Sequence, residues 1–443
     1  MDNKPTKIPR RIAQTVVNSL KGGVVPRVGL PYITVGRRQE IEALLRDVDI
    51  VSEGGASFRF IAGNYGSGKS FLLQTMRNYV MDRNFVVMDA DLSPERRLFG
   101  NQGQGLATYR ELIKNLSVKT QPEGGALAMV LDRWISSVQT QTAETMGGQT
   151  DSPEFNERVE QQIFTVVRTM HDLVHGFDFA RILTLYYRAF TEGDDELKGK
   201  VLKWFRGEYG SKTEARSELG SSVVISDDNW YEYLKLFAYF FHYAGYSGLI
   251  VLVDELVNLY KIPNSISRQY NYEKLLAMYN DALQGKARYI GMLMSGTPQS
   301  IADPRRGIYS YEALRSRLQE GKFTREQGTP DLLAPVIRLK ALTAEEMTVL
   351  AEIALIHAGL YEYEPKLTDD DLVAFIRTEY ARIGADTHIT PREVIRDFIE
   401  LLDLLFSHPD LTLTGLLQSD EFTYAKPELE EKDVDAAFAE FTL

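Results

Sequence analysis

A glycine-rich loop carries the residues of this chain whose types and spacing could do chemistry most directly. Its pattern, G-x-x-x-x-G-K-S, lets successive backbone N–H groups point at a phosphate, with the positive end of the following helix beneath the anion. Lys69 would reach the β- and γ-phosphates of a nucleotide, and the Ser70 hydroxyl would ligate Mg²⁺. The loop consists of Gly63, Asn64, Tyr65, Gly66, Ser67, Gly68, Lys69 and Ser70, and Phe71 follows it. The pattern predicts a site for ATP and Mg²⁺.

Segments on both sides of the loop favour this interpretation. Residues 58–62 alternate in polarity as a strand does, whereas residues 71–76 are typical of the first turns of a helix. A strand, a glycine-rich loop and a helix in this order are the context in which the pattern binds nucleotide. The alternative is a chance glycine-rich turn, and the context argues against it.

Two adjacent carboxylates stand at the end of a second predicted strand. The apolar run of residues 249–253 fits a central strand buried on both faces, and Asp254 and Glu255 follow it directly. Because Mg²⁺ prefers oxygen ligands, Asp254 is the candidate for holding the ion through its water shell. Glu255 is the candidate for orienting and deprotonating the attacking water. The alternative, a strand that ends in an acidic helix cap, is weakened by the phosphate loop.

Small polar residues end another predicted strand, over residues 289–294. Ser295 and Thr297 lie at its tip, where a polar side chain between the loop and the carboxylates can bond the γ-phosphate or its attacking water. Both are therefore candidates for sensing the terminal phosphate. Further strands are predicted at residues 85–92 and 336–339, so we expect an α/β fold with a parallel sheet flanked by helices.

Composition excludes several other kinds of site. The chain is 44% hydrophobic and 25% charged, as in ordinary soluble proteins, and no apolar run is long enough to span a membrane. The complete lack of cysteine excludes disulfides, thiolate metal sites and a cysteine nucleophile, and the six histidines lack metal-ligand spacing. A reducing cytoplasm fits these features.

The net charge of −12 is unevenly distributed along the chain. It argues against a protein that coats nucleic acid indiscriminately. Residues 1–38 are rich in Lys and Arg, whereas residues 420–443 are rich in Asp and Glu. The basic start could meet nucleic acid, the acidic face of a partner or the chain's own acidic tail, and solvated termini are the alternative.

Helix and loop signals divide the chain into four parts. These are a basic segment at residues 1–34, a core at 35–339, a small helical domain at 340–408 and an acidic segment at 409–443. Within the core, residues from about 100 to 228 predict a helical insertion with two mobile loops, one in the polar Gln- and Thr-rich segment 139–152 and one in the Gly/Ser-rich stretch 207–222. The aromatic residues of 230–243 could stack on bases, but a helix before a central strand packs on the sheet, which favours a core role.

The order of these features resembles the AAA+ ATPases of the origin-recognition and STAND-like branch. The resemblance implies an AAA+ P-loop NTPase core followed by a C-terminal helical lid. It implies that Val35 and Gly36 lie against the adenine and that Arg392 of the lid touches the nucleotide. It also implies that Arg317, or Arg315 as second choice, reaches the nucleotide of a neighbouring subunit in a homo-oligomer. An ordinary helix start and a solvated basic helix end are the alternatives.

A more specific resemblance rests on residues 19–27, 35–37 and 63–72. These residues resemble the ATP-binding proteins of the BREX phage-resistance systems, the BrxD-like family, and the Gly-Gly-Val-Val-Pro segment at 22–26 carries this assignment. The resemblance implies a bacterial cytoplasmic ATPase in anti-phage defence, beside a helicase-like partner and on DNA. It does not supply a substrate.

Two classes of function follow. The first is a motor or loader, in which ATP hydrolysis moves DNA or a DNA-bound partner. The second is a nucleotide-gated switch or scaffold, in which ATP binding orders an assembly and hydrolysis only resets it. A kinase that transfers the γ-phosphate to a small molecule is a weaker third possibility, because no acceptor-binding signature is recognisable.

Overall fold

The computed structural model describes most of the chain in two compact units. The described residues are 8–26, 28–29, 33, 37–65, 67–147, 152–170, 173–319, 321, 331–339, 346–365, 367–381 and 391–418. One unit is Arg37–Lys340, and the other combines Met1–Gly36 with Ala341–Leu443. The sheet and the phosphate loop belong to the first unit.

A five-stranded sheet forms the centre of the first unit. Its strands are β1 (Ala56–Ala62), β2 (Val86–Asp91), β3 (Leu249–Asp254), β4 (Ile290–Gly296) and β5 (Val336–Arg338). They are parallel and lie in the order β2-β3-β4-β1-β5. The predicted α/β fold with a parallel sheet is therefore confirmed, and β4 lies between β1 and β3. All five carboxyl ends meet at one edge, where the loop after β1 begins.

Helices cover both faces of this sheet. On one face, α2 (Arg38–Ser52) and α3 (Lys69–Asp82) pack against side chains such as Ile61 and Leu252. The other face, which includes Phe60 and Val253, belongs to the larger apolar core of the molecule. Because successive strand residues point to opposite faces, strands covered on both sides require continuous apolar runs. This requirement explains the unbroken run before Asp254.

The described residues between β2 and β3 are mainly helical. The helices are α4 (Gln104–Lys114), α5 (Leu127–Thr145), α6 (Pro153–Thr169), α7 (Gly176–Glu192), α8 (Asp195–Phe205), α9 (Lys212–Leu219) and α10 (Trp230–Tyr243). The predicted mobile loop at 207–222 is wrong, since α9 lies within it. The other predicted loop, at 139–152, is wrong in its first half, since α5 continues to Thr145, and residues 148–151 lie outside the described residues. The Ser211 hydroxyl caps α9 by accepting a hydrogen bond from the Glu214 N–H. Ser and Gly mark helix ends here rather than a loop.

The aromatic residues of α10 pack in the core, as predicted. Six of their rings are buried, namely Trp230, Tyr231, Tyr233, Phe237, Phe240 and Phe241. Phe237 and Phe240 meet Phe179 of α7 in edge-to-face contacts. Only the end of the helix approaches solvent, where Tyr243 is 39% exposed. Buried rings cannot stack on bases, so a base-stacking platform along this helix is excluded.

Further helices complete the first unit near the sheet. They are α11 (Val257–Tyr260), α12 (Ser265–Leu283), α13 (Pro298–Ala302) and α14 (Glu312–Leu318). The Asn271 side chain of α12 is buried and accepts hydrogen bonds from the backbone N–H groups of Leu98 and Phe99. It therefore holds the segment that follows β2 against α12.

The second unit is helical in its described part. It contains α1 (Arg10–Lys21), α15 (Glu346–Tyr361), α16 (Asp369–Ala381), α17 (Pro391–Ser407) and α18 (Leu413–Gln418). Helix α1 packs against α15 and α17 and buries Val16 and Val17. At its end, Lys21 forms an ion pair with Asp403 of α17. One basic residue of the N-terminal segment thus pairs with an acidic residue of this helical unit, while the acidic stretch 420–443 lies outside the described residues.

Within the part of the chain that the structure describes, no helix is both long and apolar enough to cross a membrane.

Candidate nucleotide-binding site

The phosphate loop joins the carboxyl end of β1 to the amino end of α3. Gly68 immediately precedes α3 with φ of 87°, in the left-handed region where a side chain would be strained. At Gly63, an added Cβ would lie 2.2 Å from the Ser67 hydroxyl, so a larger residue would force the Ser67 side chain to move. Gly66 lies outside the described residues. The sequence therefore folds locally into a tight turn, in which the Ser67 N–H donates to the Asn64 carbonyl oxygen and which leads directly into α3.

Lys69 and Ser70 are the first two residues of α3, at its positive end. The Lys69 ammonium turns back over the loop and donates a hydrogen bond to the Asn64 carbonyl oxygen over 2.9 Å. The next residue, Phe71, is partly buried in the first turn. A cation and a hydroxyl donor thus stand beside a helix N-terminus, an arrangement suited to anions.

Asp254 connects three parts of the sheet edge through its carboxylate. Its Oδ2 accepts a hydrogen bond from the Ser70 hydroxyl over 2.6 Å. Its Oδ1 accepts from the Ser295 hydroxyl and from the Glu255 N–H. Asp254 is only 8% exposed, so these contacts fix its orientation. Residues from the loop, β3 and β4 therefore form one connected polar group.

Glu255 lies just beyond β3 and differs from Asp254 in its surroundings. Its φ of 62° is left-handed, an uncommon conformation for a residue other than glycine. Partial burial raises the pKa of Glu255 above its ordinary value, and the negative charges of Asp254 and Asp91 raise it further. Among the described residues, none forms a hydrogen bond or ion pair with the Glu255 carboxylate. The result is a more basic carboxylate that remains available to a water molecule.

The two polar residues at the tip of β4 have different surroundings. Ser295 is fully buried and donates its hydroxyl hydrogen to Asp254. The Thr297 hydroxyl instead accepts a hydrogen bond from the Ser300 N–H over 3.2 Å and caps α13. Ser295 therefore belongs to the polar group around Asp254, whereas Thr297 serves the helix that follows β4.

The two candidate arginines lie in α14. The Arg317 guanidinium donates hydrogen bonds to the Asn280 side chain and to the Ala313 carbonyl oxygen, over 3.1 and 2.6 Å. Arg315 lies 3.8 Å from a carboxylate oxygen of Glu312. In the described part of the chain, neither makes a hydrogen bond or ion pair with the phosphate loop or with Asp254 and Glu255. The structure does not bring them into the site of their own chain.

Three further candidates cannot be placed. Val35 and Gly36 lie outside the described residues. Arg392 is the second residue of α17, and its side chain also lies outside the described part.

Sequence reasoning missed Arg37, whose side chain is buried beside the loop. Its guanidinium donates one hydrogen bond to the Ser67 carbonyl oxygen over 3.1 Å and another to Glu40 over 3.0 Å. Arg37 therefore ties the start of α2 to the phosphate loop. The three-residue spacing of Arg37 and Glu40 was a signal for their pairing, but nothing in the sequence indicated Ser67 as a partner.

A family model described as BREX system ATP-binding protein BrxC/D matches residues 8–421 of the 443-residue chain. The chain belongs to this family. The resemblance to BREX ATP-binding proteins is thereby confirmed, and the matched residues span both compact units. No curated protein matches the chain. For a BrxC/D family member, ATP is the nucleotide that the loop at residues 63–70 is expected to bind.

Proposed function

We propose that this BrxC/D family member is an AAA+ ATPase that hydrolyses ATP with Mg²⁺ during anti-phage defence in the bacterial cytoplasm. One observation carries the proposal. The Ser70 hydroxyl and the Asp254 carboxylate are in direct contact at the end of the phosphate loop, while the adjacent Glu255 carboxylate keeps no hydrogen bond or ion pair among the described residues. These are the parts that a metal-assisted attack of water requires.

The residues at the sheet edge fit Mg²⁺ by their chemistry. Mg²⁺ takes oxygen ligands and keeps several water molecules, so it needs few direct protein contacts. Ser70 would supply its hydroxyl, and Asp254 would hold the water shell. Ser295 and the Glu255 N–H already orient the Asp254 carboxylate, as supporting groups do at metal sites. When bound, the ion neutralises the charge of the β- and γ-phosphates.

The other residues then have separable tasks. Lys69 leaves the Asn64 carbonyl oxygen to bind the phosphates. Glu255 holds a water at its carboxylate and accepts a proton from it, for which a raised pKa is favourable. Ser295 keeps its hydrogen bond to Asp254, and Thr297 remains a candidate sensor of the terminal phosphate.

Two features support the AAA+ class in particular. The strand with the polar tip, β4, lies between the loop strand β1 and the carboxylate strand β3, as the sensing role requires. The described residues from 346 to 418 are mainly helical, and α17 among them carries Arg392. In this proposal these residues form the lid over the nucleotide, and Val35 and Gly36 contact the base.

The proposal includes a homo-oligomer in which Arg317 acts on the nucleotide of the neighbouring copy, with Arg315 as second choice. Both side chains are exposed on α14 and unconnected to the site of their own chain. In this proposal, an arginine with this placement stabilises charge on a phosphate that is bound to the neighbouring subunit.

The substrate of the motor is DNA or a DNA-bound, helicase-like partner. The second candidate is a nucleotide-gated switch or scaffold with little turnover. The Ser70 and Asp254 contact is compatible with it, since a switch also binds Mg²⁺ and ATP.

Steady-state ATP hydrolysis by the full chain, with and without single- and double-stranded DNA, tests the proposal. Glu255→Gln is the control, because it keeps the size of the side chain and removes the base. DNA stimulation that the substitution abolishes supports the motor. A negligible rate in every condition, with ATP still bound, contradicts the motor and supports the switch.

A further inference from the structure

Tyr65 is the one aromatic residue of the loop at residues 63–70, and the roles assigned above do not use its side chain. Loops that wrap phosphates are built mainly from small residues, because the backbone must approach the anion. Tyr65 is nevertheless 57% exposed and is not needed to fill the core. Its position relative to two charged groups of the site indicates another use.

The first of these groups is the Lys69 ammonium, which lies 5.6 Å from the centre of the Tyr65 ring. This distance is within the range of a cation–π contact. The lysine of this motif binds the β- and γ-phosphates, so a ring beside its ammonium lies at the terminal-phosphate end of the loop. A ring at the adenine end would lie far from this ammonium.

The second group is Glu255, which lies beyond the tip of β3. Partial desolvation raises the pKa of Tyr65 above its ordinary value, and the negative charge of Glu255 raises it further. The phenol is therefore within the electrostatic field of the carboxylate that we assign to the attacking water. Because that water would stand next to the third phosphate, the influence of Glu255 agrees with the position that the Lys69 contact indicates.

The Tyr65 hydroxyl is a suitable donor for an anion. It remains protonated at neutral pH, and among the described residues none forms a hydrogen bond with it. An O–H donor facing phosphate oxygens forms a charge-assisted hydrogen bond, which is stronger than one between neutral groups.

We propose that Tyr65 recognises the third phosphate of ATP: its hydroxyl donates a hydrogen bond to a γ-phosphate oxygen, so the loop distinguishes ATP from ADP. Tyr65 thus sets nucleotide specificity, whereas Glu255 acts on the water. The inference rests on the proposed ATP site but does not require turnover. The competing explanation for the exposed Tyr65 ring is that it only contacts a neighbouring copy of the chain.

Equilibrium binding of the full chain to fluorescent ADP and to a fluorescent β,γ-imido analogue of ATP, both with Mg²⁺, tests this inference. Tyr65→Phe removes only the hydroxyl and keeps the ring beside Lys69. We expect it to weaken binding of the ATP analogue about tenfold and binding of ADP less than about twofold, the loss of one hydrogen bond to a charged group. Tyr79→Phe is the matched control, because Tyr79 is an exposed tyrosine of α3, the helix that follows the loop.

Equal losses for both nucleotides, or no loss for either, would overturn the role of Tyr65. A chain that binds both nucleotides but hydrolyses no ATP leaves the test of Tyr65 intact, and only the proposed hydrolysis fails. A chain that binds neither nucleotide contradicts both proposals. In steady-state hydrolysis, Tyr65→Phe is expected to raise KM for ATP and to leave kcat nearly unchanged, as for a group that binds ground and transition states equally. A lowered kcat with unchanged KM contradicts this recognition role.

Discussion

Two aspartates, the buried Asp254 at the sheet edge and the partly exposed Asp403 in the helical unit, each accept hydrogen bonds from more than one donor. Asp254 accepts from the serine hydroxyls of Ser70 and Ser295 and from a backbone N–H. Asp403 accepts from the Lys21 ammonium and the His357 ring. The number of bonds is similar, but the donors differ in charge.

That difference separates a site that can accept a cation from a site that already has one. Among the described residues, only neutral groups donate hydrogen bonds to Asp254, so Mg²⁺ can approach without displacing an ammonium bonded to this carboxylate. At Asp403 the cation is the Lys21 ammonium, which belongs to the chain itself. Burial alone would raise the pKa of Asp403, but the hydrogen bonds from Lys21 and His357 lower it below its ordinary value. Asp403 therefore holds α1, α15 and α17 together.

The largest expected effect follows from neutralising Asp254. We expect Asp254→Asn to lower kcat for ATP hydrolysis at least about 100-fold, because charge stabilisation by a metal is worth several kcal/mol. The variant should also bind ATP equally well in Mg²⁺ and in EDTA, whereas the natural chain binds better in Mg²⁺. Asp49→Asn, at a surface pair with Arg83, is the control. Retained Mg²⁺ dependence in Asp254→Asn would contradict the metal assignment.

A smaller effect is expected at Ser295, whose hydroxyl donates a hydrogen bond to Asp254. Ser295→Ala should lower activity about tenfold and raise the Mg²⁺ concentration needed for half-maximal rate, since groups that support a metal ligand are worth about 10- to 100-fold. Titration of the rate with Mg²⁺ measures both quantities. Ser316→Ala removes an exposed hydroxyl and should change neither. An unchanged Mg²⁺ requirement in Ser295→Ala would show that the Asp254 orientation does not depend on this bond.

The helical unit should lose stability in acid because of His357. The Asp403 carboxylate only accepts, so the His357 Nε2 carries the hydrogen and Nδ1 accepts from the Tyr363 hydroxyl over 2.9 Å. Burial lowers the pKa of His357, against the opposing effect of Asp403. Below about pH 6.5 the unfolded chain therefore binds a proton that the folded chain does not. The free energy of unfolding then decreases as the pH is lowered, by up to about 1.4 kcal/mol per pH unit.

Thermal unfolding from pH 8 to pH 5 measures this dependence. The raised pKa of Lys21 stabilises the folded chain at every pH below about 10.5, and this stabilisation is lost only as the pH rises above that value. It is therefore constant between pH 8 and pH 5. His357→Gln should flatten the profile between pH 8 and pH 5. A profile as steep as that of the natural chain would assign the acid sensitivity to other groups.

The smallest effect is expected at Lys21, whose side chain is 56% exposed. Lys21→Met keeps the aliphatic stem and should lower the free energy of unfolding by less than about 1 kcal/mol, because water and salt screen exposed ion pairs. Urea unfolding at low and high salt gives this value, and the difference from the natural chain should shrink at high salt. A loss of several kcal/mol would mean that Asp403 depends on Lys21 as a buried pair does.

Much of the first unit could be predicted from the sequence because its signals are local. The apolar run of residues 249–253 requires burial on both faces, and the glycines at Gly63 and Gly68 stand where a tight turn and a left-handed residue are needed. Each of these signals depends on neighbours within a few residues. The strands, the loop and the core position of α10 follow from such signals.

Local composition misled where helix ends resemble loops. The Gly/Ser-rich stretch 207–222 contains α9, since Ser211 caps its start and Gly220 its end. Composition alone does not distinguish a flexible segment from a short, capped helix.

The sequence by itself determined the chemistry available to this protein: a phosphate loop, two carboxylates at a strand end and the BrxC/D family. Only the tertiary structure decided the partners. It selected Ser295 rather than Thr297 for Asp254, joined Arg37 to Ser67, and brought Lys21 to Asp403 from 382 residues away. The physical reason is that strand order and helix packing set these contacts, and both depend on burying apolar faces across the whole chain rather than on neighbouring residues.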